Sequence, residues 1–187
     1  DAAAAGIATV YQELLLFPEL SVAENVFLGH YPRTALNIID WATVRSRTRE
    51  LLDSLDTYDL DVDTKVQTLS VAQRQRVEIA KALSRNPKIL IMDEPTASLV
   101  ESDVQRLMSV VRQLRERGVG IVYVSHRMPE IFALADRVTV LRDGALVGTR
   151  DIGEVNERDL VSMMVGRPID SLFPKVDATI GEIVLEV

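Results

Sequence analysis

The chain has no cysteine, which excludes disulfides and thiolate metal sites and fits a reducing compartment. No apolar run approaches the roughly 18 residues that suggest a membrane-spanning helix, and no charged-then-apolar leader opens the sequence. Any membrane attachment is therefore expected through partners. The net charge is −7, the wrong sign for a phosphate-backbone binder, so no nucleic-acid partner is expected. Of the lysines, Lys65, Lys81, Lys88 and Lys175, none follows a glycine. The loop G-x-x-x-x-G-K-[ST], whose amides and lysine cradle phosphates, is thus missing from these residues. There is no internal repeat, and no low-complexity tract beyond Ala2 to Ala5. What is present suffices for one substantial core, since 47% of the 187 residues are hydrophobic.

The most informative stretch runs from Leu69 to Leu99, LSVAQRQRVEIAKALSRNPKILIMDEPTASL. Ile89 to Met92 form an uninterrupted apolar run, the pattern of a parallel strand covered on both faces. Asp93 and Glu94 follow at its carboxyl end, the edge where open α/β sheets bind ligands, and Pro95 stops the strand. Two acids there can divide labour, one holding Mg²⁺ and one orienting or deprotonating water. An isolated pair of this kind reads more readily as a capping Asp beside a solvated Glu, and it is the surrounding context that favours the site. Upstream, Ser70 and Gln73 make an S-x-x-Q capping box that opens a helix through about Ser84, with Val77, Ala80 and Leu83 on one stripe. Such a helix start is an anion site of the kind that suits a γ-phosphate.

Two further strands end in a polar residue. Ile7 to Tyr11 runs into Gln12, and Ile121 to Ser125 runs into His126. Three strand ends would then deliver a Gln, an acid pair and a His to one sheet edge.

In order and spacing this set resembles the Q-loop, signature, Walker B and H-loop of ATP-binding cassette (ABC) ATPases. The form LSxAQ followed by VEIAKALS looks like the first cassette of the tandem ATPases that drive bacterial monosaccharide importers. The usual signature is LSGGQ; here Val71 and Ala72 replace both glycines, which adds bulk where backbone meets phosphate. After the acids the family commonly has SALD, and this chain has Ala97-Ser98-Leu99-Val100. The resemblance implies an α/β fold, a partial P-loop NTPase domain with a mostly parallel sheet flanked by helices, a helical subdomain and a C-terminal β-hairpin. It implies ATP and Mg²⁺ as ligands. Asp93 and Gln12 would hold the ion, Glu94 would be the general base and His126 would contact the γ-phosphate. Ser70, Ala72 and Gln73 would reach the nucleotide of a facing cassette. The implied partners are transmembrane permease subunits, a second cassette in the same chain or a homodimer, and indirectly a periplasmic sugar-binding protein. The implied place is peripheral, on the cytoplasmic face of the bacterial inner membrane.

By the same resemblance residues 1–167 form a first cassette without its P-loop part, with the helical subdomain inserted at about 20–85. Residues 168–187, with Pro168, Pro174, Gly181 and the alternating EIVLEV end, would be a linker and the first strand of a second cassette. The chain is thus expected to be an internal piece of a longer polypeptide. Ala2 to Gly6 reads as a helix end with its C′ glycine. Capping signals at Ser21/Glu24, Asp40 and Asn156 predict further helices, the second reaching about Leu55 and the last stopping at Gly166. Val104, Leu107, Met108, Val111 and Leu114 mark a core helix closed by Gly118. Arg137 to Leu141 and Ala145 to Thr149 flank Arg142-Asp143-Gly144, a hairpin signal. Phe17, Leu20, Val22 and Phe27 suit either local packing or docking to a permease. Two other functional classes stay open: a repair or translation ATPase of the same family, which would need a coiled-coil or basic insertion, and a hydrolysis-incompetent docking module.

Overall fold

The computed structural model describes residues 2–166. The expectations for 168–187 therefore lie outside the described residues. The chain divides into two compact units, residues 1–134 and residues 135–187.

The first unit is built on a three-stranded parallel sheet, β1 (Ile7–Val10), β2 (Ile89–Asp93) and β3 (Gly120–Val124), with β2 in the middle. Ile7 pairs with Ile89, and Asp93 pairs with Val124. Parallel pairing needs long crossovers, and the one between β1 and β2 carries α1 (Val22–Val26), α2 (Trp41–Asp53) and α3 (Val71–Leu83). Each helix starts where its cap predicts. Ser21 and Ser70 both form complete capping boxes, and Asp40 accepts from the Thr43 amide. The crossover to β3 is α4 (Glu101–Glu116), ending before Gly118 at φ +85°. A short helix α5 (Met128–Leu134), which the sequence patterns did not announce, follows β3.

Leu90, Met92 and Val10 are fully buried in one apolar cluster with Val77, Ile79 and Ala80 of α3 and Val104, Leu107 and Val111 of α4. Each such side chain contributes about 1.5–3 kcal/mol by leaving water. The other sheet face is open: Ile89 is 38% exposed, Val122 49% and Val124 45%. Coverage on both faces, expected from the unbroken apolar run, is thus found on one face only among the described residues, because the described helices gather on that side. An apolar run tells how hydrophobic a strand is and not how many layers cover it.

Ala2 to Gly6 forms turns that close as a helix end does, with the Gly6 amide donating to Ala3 O at 3.1 Å and the Ile7 amide to Ala2 O at 3.0 Å. Its glycine is required, with φ +77°, a carbonyl that accepts from the Lys88 and Ile89 amides at 2.7 and 3.1 Å, and Lys88 Cγ only 3.3 Å from where a Cβ would stand. Val22 and Phe27 are core, whereas Phe17 is 55% exposed. The segment after β1 is tied to the helices: Asn25 exchanges hydrogen bonds with the Phe17 backbone, and Lys81 Nζ donates to Leu15 O at 2.6 Å.

In the second unit β4 (Arg137–Arg142) and β5 (Ala145–Asp151) pair antiparallel. Asp143 and Gly144 both take positive φ, 52° and 76°, the type I′ turn whose twist matches a hairpin. Then α6 (Glu157–Val165), with Asn156 as its capping box and Gly166 left-handed at its end, packs on both strands.

Candidate active site

Because β1, β2 and β3 are parallel and adjacent, their carboxyl ends share one edge, and the residues that follow them are Gln12, Glu94 and His126. Asp93 closes β2 in register with Val124. His126 Nδ1 lies 2.8 Å from Glu94 Oε1, so a proton on Nδ1 makes the ring a donor to the carboxylate. The sequence patterns put both residues at this edge but gave no sign of their direct bond. Gln12 is exposed one strand away.

Glu94 is held under constraint. Its φ is +45°, a left-handed conformation that costs a non-glycine residue roughly 1–2 kcal/mol. Its amide donates to Val124 O at 2.9 Å and its carbonyl accepts from Ala97 N, which fixes the turn. Its side chain is 19% exposed, and Oε2 is buried with no hydrogen-bond partner among the described residues. A buried acceptor left unmade costs on the order of 1–3 kcal/mol. Strain and an orphaned carboxylate oxygen at one strand end mark a place built for a ligand or water rather than for stability. His126, in contrast, is 71% exposed.

Behind the edge lies a carboxylate that the sequence patterns missed. Glu130, on α5, is 2% exposed and accepts from Thr96 Oγ1 and Tyr123 OH at 2.9 and 2.8 Å. Burial first, and then the bond to Glu130, push the Tyr123 hydroxyl well above the usual phenol range. Arg127 Nη1 sits 2.7 Å from Glu130 Oε1. A lone acid beside apolar neighbours reads as solvated, and its partners come from two other segments.

The start of α3 is a separate group. Ser70 Oγ accepts from the Gln73 amide at 3.2 Å, and Gln73 Oε1 accepts from the Ser70 amide at 3.0 Å. Gln73 Nε2 reaches Asp59, which also pairs with Arg76 at 3.0 Å. Burial pushes the Asp59 carboxyl up, but the Arg76 charge and the hydrogen bonds outweigh it and hold the group below the ordinary range. Ala72 lines a cavity of about 590 Å³ with Tyr58, Asp59, Gln75 and Arg76, bounded by α3 and α4. Ser70, Ala72 and Gln73 are thus brought together with one another, while Asp93, Glu94 and His126 form their own set.

The described residues contain no group of three or more His, Cys, Asp or Glu placed to hold a metal ion. Asp93 and Gln12 offer one carboxylate and one amide oxygen at neighbouring strand ends. Magnesium suits such a sparse all-oxygen set, since it keeps several waters and takes one or two carboxylates besides substrate phosphates.

Residues 1–97 match a protein-family model described as ABC transporter. A ribose import ATP-binding protein of Chromobacterium violaceum is 51% identical over 186 residues, covering 100% of this chain and 37% of that protein. A ribose import ATP-binding protein of Streptomyces avermitilis is 48% identical over 187 residues, with 100% and 37% covered. The chain therefore spans little more than a third of the length of these curated relatives. Among solved structures, an ABC-transporter ATP-binding cassette in its ADP conformation aligns with TM-score 0.71 and 24% identity over 88% of this chain and 70% of that one. A dimeric ATP-binding cassette in a post-hydrolysis state, bound to ADP and Pi, aligns with TM-score 0.67 and 29% identity over 78% and 62%.

Proposed function

The chain belongs to the ABC transporter family, and from that premise we propose that it is part of the ATP-hydrolysing subunit that energises a bacterial importer of a monosaccharide. The observation that carries the hydrolytic half of this reading is the Glu94–His126 pair at the carboxyl ends of β2 and β3. Glu94 is the general base: His126 holds Oε1, and Oε2, buried and without a partner among the described residues, is an acceptor for the proton of an attacking water. The left-handed backbone at Glu94 fixes the carboxylate before any substrate arrives, and preorganised charge of this kind supplies most of the catalysis in phosphoryl transfer. Asp93 and Gln12 would hold Mg²⁺, which when bound neutralises charge on the phosphate oxygens.

Ser70, Ala72 and Gln73 serve a nucleotide held by another cassette. The first-turn amides of a helix have no intrahelical acceptor, and the Ser70–Gln73 box uses only that of Gln73, so the amides of Val71 and Ala72 point a positive helix end outward. The dimeric relative bound to ADP and Pi supports an assembly in which two cassettes meet, either a second cassette of the same chain or a second copy. The names of the import relatives support ribose or a similar monosaccharide as cargo. With them come permease subunits in the membrane and, beyond these, a periplasmic sugar-binding protein. No helix of the described residues is long and apolar enough to cross a membrane. As part of such an importer, the subunit would sit peripherally, on the cytoplasmic face of the inner membrane, as the import relatives' names support. The segment anchored by Asn25 and Lys81 after Gln12 would carry closure of the site toward the permease.

Glu94→Gln in the full-length protein tests the reading. It removes the base and keeps the shape, so kcat falls by roughly 10²–10⁴-fold while ATP still binds. Steady hydrolysis by that variant at the wild-type rate would overturn the assignment.

A further inference from the structure

Glu94 and His126 stand on different strand ends, and their 2.8 Å contact survives only if the turn after one and the strand end before the other keep a fixed spacing. Glu130 touches both. Its Oε2 accepts from Thr96, two residues after Glu94, and from Tyr123 and Ser125, the latter next to His126, at 2.9, 2.8 and 3.4 Å. Its Oε1 faces the guanidinium of Arg127, the residue after His126, at 2.7 Å. Ser125 Oγ in turn accepts from the Arg127 amide at 3.0 Å. A carboxylate is needed for this, since only an ionised acid offers one oxygen that accepts from three hydroxyls and a second that pairs by charge with a guanidinium. At 2% exposure the group has traded water for these partners, and nothing in the proposed hydrolysis uses it directly.

We propose that Glu130 is a positioning residue: it clamps the turn that follows Glu94 to the strand end that precedes His126 and so sets the distance between the base and the histidine. The proposal rests on the reading of Glu94 as base. It makes α5 more than a connector, because α5 delivers a buried carboxylate that binds the turn after Glu94 and the end of β3 together.

The test uses the full-length protein and the variants Glu130→Gln, Thr96→Val and Glu94→Gln. Glu130→Gln keeps size but turns an NH₂ toward groups that already donate. The expected result is a fall in kcat of roughly 10²-fold, the cost of a misplaced catalytic group, with KM for ATP and ATP binding within about threefold of wild type. Thr96→Val removes a single hydroxyl, is expected to lower kcat by roughly tenfold in the same manner, and decides the matter if Glu130→Gln fails to fold. Combined in one chain, the two substitutions are expected to cost less than the product of their separate effects, because they break one clamp. A wild-type kcat in Glu130→Gln or in Thr96→Val, or a loss that appears only as weakened ATP binding, overturns the proposal. If Glu94→Gln hydrolyses ATP at the wild-type rate, it is the reading of the base that fails. An inactive Glu94→Gln beside an unimpaired Glu130→Gln sinks the clamp alone.

Discussion

The carboxyl edge of the sheet and the start of α3 both carry residues that the family resemblance names, yet they are opposite in their physical state. At the edge, Glu94 is strained at φ +45°, has an oxygen without a partner among the described residues and meets a histidine that is mostly in solvent. At the helix start, Ser70 and Gln73 satisfy each other, and Asp59 and Arg76 brace them. At the edge a carboxylate oxygen lacks a partner among the described residues; at the helix start the Ser70–Gln73 box is complete, while Arg74 Nε, Gln75 Nε2 and Arg76 Nε just inside the helix lack one there too. The difference teaches where a single chain displays its chemistry. On the proposed reading, the base keeps one oxygen open for water in its own cassette, whereas Ser70 and Gln73 hold each other and would meet a neighbour's nucleotide through the free amides of Val71 and Ala72.

Removing His126 should have a large effect. His126→Ala frees Glu94 Oε1 and should lower kcat in the full-length protein by roughly 10²-fold or more while leaving the fold's stability unchanged, because the ring is exposed. Calorimetric unfolding and an ATPase assay on the same preparation check both halves. Next, Glu94→Gly should abolish hydrolysis and yet stabilise the β2 end by about 1 kcal/mol, since glycine adopts the left-handed backbone without strain. Hydrogen exchange at the Glu94 and Ala97 amides reads this gain. Slower exchange together with lost activity keeps the contrast; faster exchange breaks it.

The helix start should respond in the other direction. Ser70→Ala removes the cap and should cost about 1 kcal/mol, seen as faster exchange of the Gln73 amide that Ser70 Oγ now protects. The smallest effect concerns Glu78 inside α3, buried at 4% exposure with Lys81 3.6 Å away. Burial raises its carboxyl above the ordinary range, only partly offset by Lys81. A carboxyl raised in the folded state stabilises while protonated, and that contribution is lost as pH climbs from the unfolded value of about 4.3 through the folded one. Glu78→Gln should therefore match wild type at acid pH and be the more stable at neutral pH. Urea midpoints at both pH values test the sign.

The helix starts were legible because caps are local. Ser21, Asp40, Ser70 and Asn156 each bond three residues ahead, and all four begin helices. The hairpin was legible for the same reason, since Asp143-Gly144 declares its own turn. The strand ends were legible as apolar runs that stop at polar residues, which placed Asp93, Glu94 and His126 at one edge. What escaped is long-range. The Glu94–His126 bond joins residues 32 positions apart, and Glu130 joins Thr96 across 34. Neither distance leaves a period in the sequence. The positive φ of Glu94 escaped too, because a turn of Asp-Glu-Pro does not demand it in the way a glycine would. Val100, where the resembling family has Asp, starts α4 with no side-chain cap, a departure the sequence did show.

The pairing of Ile7 with Ile89 has a consequence during synthesis. At roughly 5–20 residues per second, β1 leaves the ribosome several seconds before β2, its partner among the described residues. In that interval Ile7 to Val10 lacks the central strand it pairs with, and the helical segment between must fold without β2 to lean on. Its capped starts at Ser21, Asp40 and Ser70 let each helix begin from local residues alone. The order of elements thus makes the nascent chain wait on its central strand, and that strand, once released, pairs with β1 and delivers both acids, with β3 joining it later.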